Sequence, residues 1–309
     1  MKKIILDKIP GQIEPIEQEL LLKYSSLSNL SLGYIVEIGC FFGKSTACLI
    51  NGLLKNPSFN NQISIYVFDS FKTTVGKGFD QYVEAAAKKS NLTNALLYKD
   101  NMIDFRNIFS FFMAGHEHKT IHVQEVFLKE LKPFIHPISL LFIDAPKSYY
   151  DLKYVLENFF IKLQKGSVII FQDFFYHWSN GLIAAISLMF SFNKISFIET
   201  AASSLVVNLV EGFTEEDIIS LDEKMKNKQE WNTYIDDIKN IFNLKTMDRY
   251  YQFFPRIITS QIQQTYEIDD KNNLSKYVKE LFENSNFMNN QTVNDIFELI
   301  LYKFKLPRE

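Results

Sequence analysis

The chain has 309 residues, enough for one large domain or a domain with a smaller appendage. Hydrophobic residues make up 47% and charged residues 22%, which excludes a disordered chain and supplies a sizeable core. The formal net charge of -3 offers no electrostatic ground for a nucleic-acid partner.

At the start, Met1–Asp7 holds too short an apolar run for a signal peptide. Residues 14–30 are expected to be helical, because Ile16, Leu20, Leu21 and Leu27 recur at roughly helical spacing. Strands and helices then alternate. Gly33–Ile38 reads as a strand, Lys44–Leu54 as a helix and Ile63–Phe68 as a strand. Cys40 and Cys48 fall in one short stretch and make neither a disulfide framework nor a metal-ligand spacing. A reducing, cytoplasmic setting is therefore expected.

Residues 79–116 read as mostly helical, with an irregular piece near Asn91–Asn101. Lys119–Val123 reads as a strand, Val126–Leu131 as a helix, Ile138–Ile143 as a strand and Asp151–Leu163 as a helix. Ser167–Phe171 reads as a strand and Gly181–Phe192 as a buried helix, the longest apolar run but too short to span a bilayer. Ile195–Glu199 and Leu205–Val210 read as an antiparallel pair joined at Ala201–Ser204. Apolar strands alternating with helices predict an α/β fold with a parallel sheet covered on both faces.

After Gly212 the texture changes to helical periodicity without a convincing strand. A boundary is expected there. Residues 1–212 form the sheet domain, with 1–32 a helical lead-in, and 213–309 a helical cap or oligomerisation region. Trp231, Tyr234, Tyr250, Tyr251, Phe253 and Phe254 form its aromatic stripe, as core, cap or homodimer surface.

Three nucleotide signatures compete for Glu37–Thr46. A P-loop needs four residues between its first Gly and Gly-Lys-[Ser/Thr], whereas Gly39 and Gly43 enclose three before Lys44-Ser45. That deletion would misdirect the amides that cradle phosphate, although Leu140–Asp144 resembles a matching Walker B strand. A dinucleotide fingerprint needs Gly where Phe41 stands. The third reading fits without repair. Glu37 ends the first strand, and Gly39 and Gly43 let backbone approach a ligand. The helix start at Lys44-Ser45-Thr46 offers N–H groups and hydroxyls to a carboxylate. S-adenosylmethionine (SAM) carries such a carboxylate beside an amine, which Glu37 can accept. Asp69 ends the second strand 32 positions after Glu37, placed to bind ribose hydroxyls.

Ile9-Pro10-Gly11-Gln12 and Val36–Thr46 resemble the start of class I SAM-dependent methyltransferases that act on small molecules, near the macrocin and catechol O-methyltransferases. Leu141–Tyr150 resembles their "strand, Ile-Asp-Gly-x-His-x-Tyr" block, and Leu163–Asp173 the block that ends in paired polar residues. The resemblance covers about residues 8–211 and implies a Rossmann-like seven-stranded sheet, ending in a hairpin and followed here by a C-terminal helical extension.

It also implies roles. Glu37, Gly39, Gly43, Ser45, Thr46, Asp69 and Asp144 would hold SAM. Adenine would meet Gln124 or Glu125 after the third strand. A rival strand at Ala95–Tyr98 would nominate Asp100 instead. Asp144 and Asp173 match positions that hold a divalent cation such as Mg²⁺ in catechol-type relatives. Gln172 stands where those relatives have Asp or His, which removes a charge and leaves metal dependence open. Lys147, three residues after Asp144, and His177 are the candidate general bases for a hydroxyl acceptor. The expected function is O-methylation of a small-molecule hydroxyl, on a sugar or natural product. A SAM-binding subunit without catalysis is the alternative, and a P-loop enzyme the remote one.

Overall fold

The computed structural model of the chain describes residues 2–174, 179–245 and 247–283. Helix α1 (Pro15–Leu27) starts on a proline at its first turn, and the Glu14 amide donates to the Glu17 carboxylate at 2.9 Å in a capping box. Then come β1 (Tyr34–Ile38), α2 (Lys44–Leu53) and β2 (Ile65–Asp69). An excursion follows, made of β3 (Lys72–Thr74), α3 (Phe79–Lys89), β4 (Leu97–Lys99) and β5 (Met102–Asp104). The chain continues through α4 (Arg106–Phe112), β6 (Ile121–Glu125), β7 (Ile138–Ile143), α5 (Tyr149–Phe159) and β8 (Leu163–Phe171). It goes on with α6 (Asn180–Ser191), β9 (Ile195–Ala201) and β10 (Ser204–Leu209), then α7 (Glu215–Lys226), α8 (Trp231–Lys245), α9 (Met247–Glu267) and α10 (Lys271–Glu283).

The main sheet has seven strands in the order β6-β2-β1-β7-β8-β10-β9 and is flanked by helices. The first five strands are parallel to their neighbours, and β10 runs antiparallel to β8. Strands β9 and β10 are joined by a two-residue turn, which only an antiparallel pair permits. Strand β7 is buried at all positions, as a strand covered on both faces must be. From β1 the chain winds out to β2 and β6, then returns to β7 on the other side of β1. That reversal makes the carboxyl ends of β1 and β7 a topological switch point, where open α/β sheets place their ligands.

Two expectations are corrected. Residues 79–116 hold the expected helices at both ends, α3 and α4, but the irregular piece expected near Asn91–Asn101 is longer and contains strands. Between α3 and α4 the chain forms β4 and β5, which join β3 in a separate three-stranded sheet of order β3-β5-β4. Asn91, Asp100 and Asn101 hold φ of 59°, 51° and 60°, a left-handed backbone that short polar side chains tolerate and helices do not. Residues 126–131 hold no α-helix either. The Val126 amide still donates to the Asp69 carbonyl at 2.8 Å, so β6's partner strand claims it, and only Leu128–Glu130 coils into a 3₁₀ turn.

Two compact units emerge. One comprises Met1–Pro146, Tyr154–Gln172 and Ser196–Phe213, and carries the sheet. Its core includes Ile35, Leu49, Ile65, Phe109, Phe142 and Ile170. The other comprises the described residues of Lys147–Lys153, Asp173–Ile195 and Thr214–Glu309. Within it Trp231 and Tyr234 are buried, and the Trp231 indole donates to the Met225 carbonyl at 3.0 Å. The side chains of Tyr250, Tyr251, Phe253 and Phe254 lie outside the described residues. Helix α9 turns a polar face inward: Thr259, Ser260, Gln261, Gln264 and Thr265 are all buried. No helix among the described residues is long and apolar enough to cross a membrane.

The crossing of α1 over α2 depends on the missing side chain of Gly52. A Cβ there would sit 1.9 Å from the Ser25 hydroxyl oxygen and 2.4 Å from the Leu22 carbonyl oxygen. Gly52→Ala is expected to destabilise the protein by about 1–3 kcal/mol through overpacking. Gly212→Ala, where a Cβ meets nothing within 4 Å, should stay within about 0.5 kcal/mol. Urea unfolding midpoints of the two variants check this, and equal midpoints would refute the close-approach account.

Candidate functional site

At the carboxyl edge of the parallel strands the backbone ladder runs one residue past β1, β7 and β8. The Gly39 amide donates to the Phe68 carbonyl at 2.8 Å, the Asp144 amide to Ile38 at 2.8 Å, and the Gln172 amide to Ile143 at 2.9 Å. Asp69 pairs in register with Glu125. Glu125, Asp69, Gly39, Asp144 and Gln172 therefore form one row across β6, β2, β1, β7 and β8.

Glu37, two residues before Gly39, is fully buried. The Thr46 hydroxyl donates to its Oε2 at 2.6 Å, and the Ser45 hydroxyl lies near enough to lower the carboxyl. Its Oε1 has no hydrogen-bond partner among the described residues. Burial pushes the Glu37 carboxyl up to about 8 against the two hydroxyls that lower it, and the Asp144 and Asp69 charges raise it further. The expected helix-start hydroxyls thus serve Glu37 rather than standing open. The first amides of α2 remain orphan donors by helix geometry.

Asp69 lies at the centre of the loop. Its Oδ2 accepts the Cys40 amide at 2.7 Å and the Phe41 amide at 3.1 Å, and its Oδ1 accepts the Phe71 amide at 2.6 Å. Burial raises the Asp69 carboxyl although these amides lower it. Sequence reasoning located Asp69 but missed this anchoring. It also missed Phe41, held at φ 51° with its ring stacked on Phe42 at 4.0 Å. Nothing in a Phe-Phe dipeptide signals a left-handed residue.

The two glycines meet protein rather than open space. Gly39 has φ 89°, and a Cβ there would lie 2.6 Å from the Ala145 amide nitrogen, so β1 and β7 close tightly at the switch point. Gly43 has φ 92°, and a Cβ would press on Phe109 and Met113 at 3.0–3.1 Å.

Gln124 is exposed near the end of β6, in the main sheet, whereas the rival stretch at 97–99 belongs to the small sheet. Glu125 pairs with Lys72. In the other compact unit, Lys147 pairs with Asp173, which is held at φ 58°. His177 lies outside the described residues. Gln172 is buried, and its Oε1 has no hydrogen-bond partner among the described residues. Among the described residues, no three His, Cys, Asp or Glu side chains converge as a metal-ligand set.

Residues 36–174 match the family model described as a methyltransferase domain. That stretch carries the likeness to a methyltransferase domain, and the family implies SAM as methyl donor. No curated protein sequence matches the chain. Among solved structures it is similar to the O-methyltransferase NovP, with 15% identity and a TM-score of 0.44 over 63% of this chain and 80% of that one. It is also similar to CalS11, a TDP-rhamnose 3'-O-methyltransferase of calicheamicin biosynthesis, with 16% identity and a TM-score of 0.37 over 62% and 77%. Cofactor-bound Rv0187 from MTB is similar at 13% identity and a TM-score of 0.38 over 66% and 84%. The assignment rests on the family match.

The buried Glu37 carboxyl makes stability depend on pH with a definite sign. The folded chain keeps the proton up to about 8, while the unfolded chain releases it near the ordinary glutamate value of 4.5. Between those values the native state binds more protons, so ligand-free stability falls as pH rises, then levels off. Glu37→Gln removes this penalty. The melting-temperature advantage of Glu37→Gln over wild type should widen from pH 5 to pH 8 in the ligand-free protein. A gap independent of pH would show that Glu37 is not held protonated.

Proposed function

We propose that this methyltransferase domain transfers the methyl group of SAM to a hydroxyl of a small molecule, a sugar or natural product. The observation that carries the cofactor half is the unpaired, fully buried Oε1 of Glu37. A buried carboxyl oxygen without a partner is costly to fold unless a ligand completes it, and a cationic partner would also draw the proton off Glu37. The α-ammonium of SAM is such a donor, and the orphan amides at the start of α2 suit the adjoining carboxylate. Glu37, the Gly39–Gly43 loop and the Lys44–Thr46 turn would hold the amino-acid end. Asp69 and Gln124 would face the nucleoside end.

The site does not suit a phosphate. Asp69 already occupies the Cys40 and Phe41 amides with negative charge, where a phosphate-binding loop needs those amides free. Nor does the donor set suit a divalent cation: Asp173 is paired with Lys147, and the position before it is the neutral Gln172.

When bound, SAM supplies an electrophilic methyl group on its sulfonium. The chain's own residues then have two tasks, to align the acceptor and to take up its proton. Lys147 and His177 are the residues assigned to the proton, and Asp144 to the acceptor side of the loop. To act as base, the Lys147 amine must leave Asp173 and give up its own proton first, so the pair also sets when it acts. The assignment of a hydroxyl acceptor draws on the resemblance of Leu141–Tyr150 and Leu163–Asp173 to small-molecule O-methyltransferases.

Titration calorimetry with SAM and with ATP tests the cofactor half. SAM is expected to bind and ATP not to bind. Glu37→Gln should weaken SAM about 10–100-fold, as loss of a charge-assisted hydrogen bond does. Binding of ATP without SAM, or full SAM affinity in the variant, would overturn this reading.

A further inference from the structure

The row at the carboxyl edge divides at Gly39. On one side Asp69 and Glu125 end β2 and β6, and on the other Asp144 and Gln172 end β7 and β8. Resting on the SAM reading above, the donor occupies the β1 and β2 ends. The β7 and β8 ends are then the stretch of the same edge left for the acceptor.

Gln172 is unusual there. It is 6% exposed, and its side-chain oxygen has no hydrogen-bond partner among the described residues. Its own backbone amide is satisfied by Ile143 at 2.9 Å, whereas the side-chain oxygen is left incomplete. A buried amide oxygen without a donor works against folding. Leucine would fill similar space without that cost, so the polar atom points to a ligand. A carbonyl oxygen only accepts hydrogen bonds, and it neither titrates nor carries charge.

We propose that Gln172 is the positioning residue for the acceptor, taking a hydrogen bond from the acceptor's own O–H or N–H. Such a bond turns a lone pair of the acceptor atom away from Gln172 and leaves it free to meet the methyl group. It also selects the substrate class. The ligand is a neutral hydroxyl or amine carrying a proton, not a carboxylate. An anionic acceptor would set its oxygen against the Gln172 oxygen and the neighbouring Asp144 carboxylate, with no proton between them. As a neutral group, Gln172 cannot remove the proton it binds, so for a hydroxyl the O–H must turn from Gln172 to the separate base as the oxygen takes the methyl group and the sulfonium leaves as a thioether.

Three measurements on Gln172→Leu in the full chain test this. Melting of the ligand-free protein reads whether Gln172 serves the fold. The variant is expected to melt about 2–4 °C higher than wild type, and a lower melting temperature would show an internal structural role and overturn the proposal. Calorimetry with SAM should give affinities within about threefold of each other for the two proteins. If wild type fails to bind SAM, the donor reading falls, and that failure is seen separately. Ligand-observed NMR with saturating S-adenosylhomocysteine then compares benzyl alcohol with benzyl methyl ether, which differ in the O–H. Wild type should favour the alcohol at least about fivefold, as one neutral hydrogen bond does, and the variant should not discriminate. Equal binding by wild type, or a preference that survives in the variant, overturns the proposal.

Discussion

The geometry of the site depends on one carboxylate. Asp69 gathers the amides of Cys40, Phe41 and Phe71 with its two oxygens. Those amides belong to the turns that leave β1 and β2, so a single side chain fixes both exits. With the Cys40 and Phe41 amides held, the loop passes over the strand edge in one conformation, and Phe41 accepts a left-handed backbone that a free Phe avoids. The Gly39 backbone then closes to the Ala145 amide, and the path into α2 is set.

The same arrangement concentrates negative charge. Glu37, Asp69 and Asp144 end adjacent strands, and the charges of Asp69 and Asp144 both raise the Glu37 carboxyl. Burial adds more. Protein donors answer Asp69 with three amides and Glu37 with the Thr46 hydroxyl, yet one Glu37 oxygen stays unpaired. A site of this kind repels phosphate and favours a ligand that brings positive charge. SAM brings two, an ammonium and a sulfonium. The electrostatics and the loop geometry thus favour the same ligand by independent routes.

Much of the sheet was legible because a strand buried on both faces has to be apolar throughout. Ile138–Ile143 is buried at every position and reads so in the sequence. The excursion was only partly legible, with a strand at Ala95–Tyr98 read as a rival to the third strand, for the opposite reason. Strands β3, β4 and β5 hold three residues each, too few for alternation to register, and Leu97–Lys99 is exposed throughout. At the site, residue types were readable and their partners were not. Glu37, Thr46 and Asp69 could be named from spacing. That Thr46 serves Glu37, and that Asp69 serves the loop amides, depends on which way side chains turn after the strands are laid side by side.

Gly39 and Gly43 show the same limit from the other direction. Glycine marks a place where something must come close, but not what comes close. At Gly39 the neighbour is the Ala145 backbone, and at Gly43 the side chains of Phe109 and Met113. The glycines therefore build the loop, and on the proposed reading the ligand is recognised by what the loop leaves unsatisfied. One such atom is the Glu37 oxygen on the donor side. Another is the Gln172 oxygen two strands away, on β8. The two differ in charge, and that difference carries chemical information. A carboxylate answers the permanent cation of a methyl donor. A neutral amide suits an acceptor whose proton must first be held and later released, because a second anion beside Asp144 would oppose the negative charge that develops on the acceptor oxygen as it loses that proton.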